Sequence, residues 1–201
     1  MTIQHKFGRL IAIEGIDGAG KSYQAARLAA TIGALCVHQP SGLLAPFIRE
    51  SITTGDLTPR QLAVLFAAAR LWGEEEISTA RSSGRHVVSD RYRASTLAYQ
   101  IDSGQSHDEN KIIAAIARTS IRPDLTIILD IDVDEAATRI SSRGRDPFEL
   151  DREKQISARV AYCEMSIRES DHILIPVGGM GRSEVAAKIL TVVTRAGILD
   201  R

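Results

Sequence analysis

The chain has 201 residues and its charges cancel, with 25 Lys and Arg against 25 Asp and Glu. That length suits one domain spanning 1–201 with a full core, and 44% hydrophobic with 25% charged residues excludes a disordered or fibrous chain. Zero net charge also argues against a polyelectrolyte grip on nucleic acid or anionic lipid.

Residues 9–13 (RLIAI) read as a short buried parallel strand that ends at Glu14 and a glycine turn. Residues 21–32 place Ala25, Leu28, Ala29 and Ile32 at helical spacing, and Gly33 stops them. Residues 34–38 predict a second strand, followed by the loop Gln39-Pro40-Ser41-Gly42 and a helix over 43–53. Thr58-Pro59 is an N-cap with proline at the first helical position, and opens a long helix to about Ser82. A third strand is predicted at 86–89, with helices at 94–101 and 108–120 after it. Residues 125–131 (LTIILDI) are the clearest strand in the chain. Helices at 134–142 and 152–170, a strand at 172–176 and a helix at 182–196 complete the pattern. Alternating short apolar strands and helices predict an α/β, three-layer architecture: a five-stranded parallel sheet with helices on both faces.

Cys36 and Cys163 fit no metal-ligand spacing and are expected to be free, buried thiols. No signal-like segment and no run of 18 apolar residues is present. The expected compartment is the cytoplasm.

Gly15-Ile16-Asp17-Gly18-Ala19-Gly20-Lys21-Ser22 matches G-x-x-x-x-G-K-[ST], between a predicted strand and a predicted helix. Glycines at this spacing let backbone N–H groups converge on a phosphate. Lys21 adds an ammonium for the β- and γ-phosphates, Ser22 a hydroxyl for Mg²⁺, and the helix start a positive dipole end. Acids beside a triphosphate need a task. Glu14 is a candidate to hold a magnesium-bound water, and Asp17 a sugar hydroxyl of an acceptor. Further on, Asp90 and Arg91 are expected just past the carboxyl end of a strand, the sheet edge where such folds bind ligands. Asp90 is a candidate metal-side acid and Arg91 a candidate phosphate fork.

The segments EGIDGAGKS (14–22), SDRYRASTLAYQ (89–100) and PDLTIILDID (123–132), in this order, resemble the thymidylate kinase family. The resemblance implies a P-loop NTPase fold of the nucleoside monophosphate kinase type. It implies transfer of the ATP γ-phosphoryl group to dTMP, Mg²⁺ as cofactor, and a homodimer packed through helices. LFAAAR (65–70) is similar to the family's LFAADR, which implies that Phe66 stacks on thymine and Arg70 bonds its edge. On residues alone, Phe66 reads equally as core and Arg70 as a solvated helix face. Ala69 replaces the acid that orients this arginine. Pro40 sits in the acceptor loop, Arg49 matches an arginine for the acceptor phosphate, and Ser95, Thr96, Tyr99 and Gln100 line the nucleoside side. The lid, about residues 143–153, keeps Arg143 and Arg145, while Ala19 stands where some relatives carry an arginine. That pairing is the bacterial arrangement, and it assigns the arginine at phosphoryl transfer to Arg143, Arg145 or both. The glycine-rich loop at 176–182 is implied to pass the adenine.

Two alternatives stay open at this point. One is a kinase for another nucleotide or nucleoside, motivated by the QPSG loop and Ala69. The other is a P-loop module that binds nucleotide without transfer, motivated by the altered lid.

Overall fold

The computed structural model describes residues 7–101, 104–141 and 151–199. Five strands form one parallel sheet: β1 (Leu10–Glu14), β2 (Leu35–His38), β3 (Val87–Asp90), β4 (Leu125–Asp130) and β5 (His172–Pro176). Their order is β2-β3-β1-β4-β5. The described residues form eight helices: α1 (Lys21–Ile32), α2 (Leu44–Thr54), α3 (Pro59–Ser82), α4 (Arg93–Gln100), α5 (His107–Ala117), α6 (Val133–Ser141), α7 (Arg152–Arg168) and α8 (Arg182–Arg195). This is the predicted α/β fold.

Every residue of β1 is buried, because helices cover both faces of a central strand. Its side chains alternate. Leu10 and Ala12 pack with Ile77, Val87 and Tyr92, while Ile11 and Ile13 join Ala25, Leu28, Ile127 and Ile189. With β3 on one side of β1 and β4 on the other, the chain crosses over β1 between them, and the β1 carboxyl end opens into the crevice at that crossing.

The helix starts follow local chemistry. Thr58 and Gln61 form a reciprocal capping box, with Pro59 at the first position of α3. Three expectations need correction. Helix α5 ends at Ala117, not at Ser120, because the Arg118 N–H is shared between the Ala114 and Ala115 carbonyls and tightens the last turn. Ser120 is thereby released for a tertiary bond. Asp90 is the last residue of β3, in register with Ile13 and His38, so only Arg91 lies past the strand. Finally, the thiols are free but not buried: Cys36 is exposed and Cys163 half-buried. Cys36 points outward from the edge strand β2, which has a neighbour on one side only.

The turn after β1 tolerates no side chain at Gly15. Its φ is +135°, and an added Cβ would lie 2.5 Å from the Leu129 carbonyl oxygen. Gly15→Ala is expected to destabilise the fold by at least ~2 kcal/mol, read as a fall in the urea midpoint without a change in slope.

Candidate active site

The predicted phosphate loop occupies the β1–α1 turn. Gly15, Gly18 and Gly20 all have positive φ, and Gly20 is the residue before α1. No side chain caps α1, and no acid stands in its first turn, so the N–H groups that open the helix face the loop. Ile16 and Ala19 are buried beneath the turn, while Ser22 is exposed at the start of α1. Lys21 is 6% exposed, and its ammonium donates to the Ile16 carbonyl oxygen at 2.7 Å. Burial, and then the positive charge of Arg91, lower its pKa from an ordinary 10.5 to about 8.

Asp17 joins two cations. Its carboxylate pairs with the Arg91 guanidinium and lies 3.6 Å from the Lys21 ammonium. Burial would raise the Asp17 carboxyl, but Arg91 and Lys21 outweigh it and hold the carboxyl below its usual range. Arg91 is held in several ways at once. Its backbone has φ +63°, uncommon for a residue with a side chain, and its N–H donates to Ile13 O at 3.0 Å. Its guanidinium donates to Ser95 Oγ at 3.3 Å and lies 5.5 Å from the centre of the Tyr99 ring. Burial works against its charge, yet Asp17 and its other neighbours leave the pKa raised overall. The Arg91 guanidinium is thus held in place at the carboxyl edge of the sheet.

Asp90 is 3% exposed. Oδ2 contacts His38 Nδ1 at 2.9 Å, and Oδ1 is buried without a hydrogen-bond partner among the described residues. Burial raises the Asp90 carboxyl, but His38, Ser22 and Lys21 together lower it below its ordinary value.

Glu14 has a different task from the water-holding one expected of it. It has no exposure, and four donors take its carboxylate. Tyr92 N–H (2.8 Å) and Ser95 N–H (3.1 Å) reach Oε1, while Ser95 Oγ (2.6 Å) and Tyr162 OH (3.1 Å) reach Oε2. Glu14 therefore caps α4 from β1 and fixes the segment that carries Arg91 and Ser95.

On the opposite wall, Arg70 of α3 is 1% exposed, not a solvated helix face. Its Nε donates to Ser120 Oγ at 2.9 Å and its Nη1 to Thr96 Oγ1 at 2.8 Å. These hydroxyls orient the guanidinium where Ala69 supplies no acid. Glu74, one turn on, is already engaged by the Ile121 N–H. Burial lowers the Arg70 pKa to about 10. Its Nη2 has no hydrogen-bond partner among the described residues, and neither has the buried Gln100 Oε1, one turn beyond Thr96 on α4. Phe66 is half-buried one turn before Arg70. Pro40 is half-buried in the loop after β2, where the Gln39 N–H donates to Asp90 O at 3.0 Å. Arg49 is exposed on α2, on a different element from the Asp17–Lys21–Arg91 cluster. Arg143 and Arg145 lie outside the described residues.

The model of the family described as thymidylate kinase matches residues 13–188. The chain belongs to the thymidylate kinase family. It is 33% identical to a thymidylate kinase of Dinoroseobacter shibae over 204 residues, covering 94% of this chain and 98% of that one. It is 37% identical to a probable thymidylate kinase of Methanococcus maripaludis over 142 residues, 70% and 69% of the two chains. The fold superposes on that of Candida albicans thymidylate kinase with a TM-score of 0.81 at 23% identity, over 96% of this chain and 94% of that one.

Within this thymidylate kinase fold, four side chains at the site escaped the reading from sequence. Gln155 and Tyr162 of α7 reach Asp17, Tyr99 and Glu14; His38 holds Asp90; Ser120 holds Arg70. Each acts across a gap in sequence that no local pattern marks. His38, just before the QPSG loop, and Gln155, two residues past the lid, lay close to segments already singled out.

Two outcomes follow. Glu14→Ala strands two backbone donors at the start of α4 and is expected to cost about 3 kcal/mol, measured by urea unfolding. Lys21 titrates at about 8 when folded and near 10.5 when unfolded. Between these values the unfolded chain binds more protons, so stability rises with pH. Lys21→Met should therefore be more stable than the wild type at pH 7, and the gap should close as pH climbs from about 8 towards 10.5 in paired unfolding curves.

Proposed function

We propose that this chain transfers the γ-phosphoryl group of ATP to dTMP, giving dTDP and ADP. The observation that carries the base assignment is a pair of buried groups on the α3–α4 wall without a hydrogen-bond partner among the described residues, a donor at Arg70 Nη2 and an acceptor at Gln100 Oε1. A buried polar atom without a partner is costly, and this pair complements a base edge offering one carbonyl and one N–H. Thymine offers O4 and N3–H. Cytosine offers an amine and an unprotonated nitrogen there, so donor would meet donor and acceptor would meet acceptor. Phe66 supplies an aromatic face one turn from Arg70.

Lys21 and the amides of Gly15, Ile16, Gly18, Ala19, Gly20 and Ser22 hold the ATP phosphates. Ser22 and Asp90 would hold Mg²⁺ together with phosphate oxygens. A buried Asp90 oxygen without a hydrogen-bond partner among the described residues, on a carboxylate that Ser22 helps to hold charged, suits an ion that commonly takes one or two carboxylates and completes its shell from phosphate. When bound, the ion supplies charge neutralisation on the phosphates. Arg91 and Arg49 hold the acceptor phosphate, Asp17 the acceptor sugar, and Ser95 and Tyr99 line the cleft between them. A phosphate oxygen of dTMP forms a bond to the γ-phosphorus as the bond to the ADP oxygen breaks, and the electron pair leaves with ADP. The attacking oxygen is already anionic, so no strong base is needed and catalysis is positioning and electrostatics. Arg143 and Arg145 neutralise the transferring group, worth roughly 10³–10⁵ in rate for a positioned arginine.

Exposed Val64, Leu71 and Trp72 on α3 support a homodimer packed through this helix. No helix among the described residues is long and apolar enough to cross a membrane. The cytoplasm is the compartment proposed for this enzyme.

The test is a panel of nucleoside monophosphates and nucleosides with ATP and Mg²⁺, followed by ADP release. dTMP should be preferred over dCMP by at least about tenfold, and Lys21→Ala should abolish turnover while retaining the fold. Preference for a cytosine acceptor, or ATP binding without ADP release on any acceptor, would overturn the proposal.

A further inference from the structure

Helix α7 begins at Arg152 after its N-cap Asp151, and its fourth residue, Gln155, is only 7% exposed. A buried amide must find partners. The Gln155 Oε1 accepts from two elements at once: the Asp17 N–H of the phosphate loop at 3.3 Å, and the Tyr99 hydroxyl of α4 at 3.2 Å. Both lone pairs of that oxygen are thus used.

Each bond bears on Arg91 from a different side. Asp17 pairs with Arg91 through its carboxylate, and the direction of that carboxylate depends on how the loop turns at residue 17. The Asp17 N–H thus donates to α7 while the carboxylate of the same residue meets Arg91 and Lys21. Tyr99 lies against the Arg91 guanidinium through its ring face and meets the Tyr162 ring edge-on, with centroids 6.4 Å apart at 80°. Its hydroxyl, donating to Gln155 Oε1, fixes the ring along its length. One amide oxygen therefore governs two of the three groups that flank the Arg91 guanidinium, Asp17 and Tyr99, the third being Ser95.

We infer that Gln155 is a positioning residue that holds Asp17 and Tyr99 in place around Arg91, tying the helix that follows the lid to the acceptor side of the site. It acts on the acceptor phosphate and sugar, not on ATP, because its partners meet Arg91 while the Lys21 ammonium is anchored separately on Ile16 O. The assignment rests on the reading of the acceptor as dTMP.

The experiment compares wild type, Gln155→Met, Tyr99→Phe and the double variant. Methionine keeps length and apolar bulk but cannot accept these bonds well. Gln155→Met should raise KM for dTMP about tenfold, as loss of an ordinary hydrogen bond does, and leave KM for ATP within about twofold. The double variant should lose less than the product of the single losses, because both remove the same contact. A purely structural role would instead raise both KM values together, or give losses that multiply, and either result would overturn the inference. Amide exchange at Asp17, followed by NMR without nucleotide, gives a second readout that does not depend on the acceptor. It should quicken about tenfold in Gln155→Met, for the same loss of one hydrogen bond. A wild type inert towards dTMP would overturn the functional reading, and the Asp17 exchange rate would then decide the role of Gln155 by itself, unchanged exchange refuting it.

Discussion

A carboxylate sealed from water at the end of a central strand must be met by donors or give up its charge, and Glu14 is met by four. Two of them are the backbone N–H groups that open α4, so an acid from β1 does the work of an N-cap for a helix 78 residues further on. A third is the Tyr162 hydroxyl from α7. One buried charge thus fastens β1, α4 and α7 together beside the phosphate loop. The geometry around Arg91 follows from that knot. Arg91 leaves β3 with a left-handed backbone between the Ile13 carbonyl and the capped helix, and Ser95 receives its guanidinium from within the same turn.

The site then handles three cations in three ways, Lys21 and Arg70 buried and Arg91 half-buried. Arg91 has a carboxylate partner in Asp17 and keeps its charge firmly. Lys21 has a backbone carbonyl and a more distant acid, and burial lowers its pKa to about 8. Arg70 has two neutral hydroxyls, and one of its nitrogens has no partner among the described residues. Buried cations with incomplete partners are expensive in the free protein. Phosphates beside Lys21 and Arg91, and a base edge beside Arg70, would complete the missing interactions. Zero net charge over the whole chain conceals this local concentration.

Much of this was legible in the residues. The strands stood out because a strand covered on both faces must be apolar at nearly every position, as β1 and β4 are. The phosphate loop was legible because its chemistry depends on contiguous backbone amides and glycines. Arg70 was legible only as a candidate, and its burial and its hydroxyl partners were not. Ser120 reaches it because α5 ends three residues earlier than periodicity implies. Glu14 was recognised as an acid needing a task, but its donors come from residues 92, 95 and 162, and no spacing near residue 14 announces them. Gln155 carried no signal at all, since a glutamine in a first helical turn is ordinarily solvated.

Local order in the chain therefore dictated the layered α/β fold, the phosphate loop and the sheet edge where Asp90 and Arg91 emerge. These depend on hydrophobic period, turn residues and short-range backbone geometry, all of which are written contiguously. The use made of each charged group was settled by packing. Whether a carboxylate caps a helix or faces a cation depends on which donors arrive from other elements and on how much water is excluded. Both quantities exist only once strand, loop and helix have been brought together.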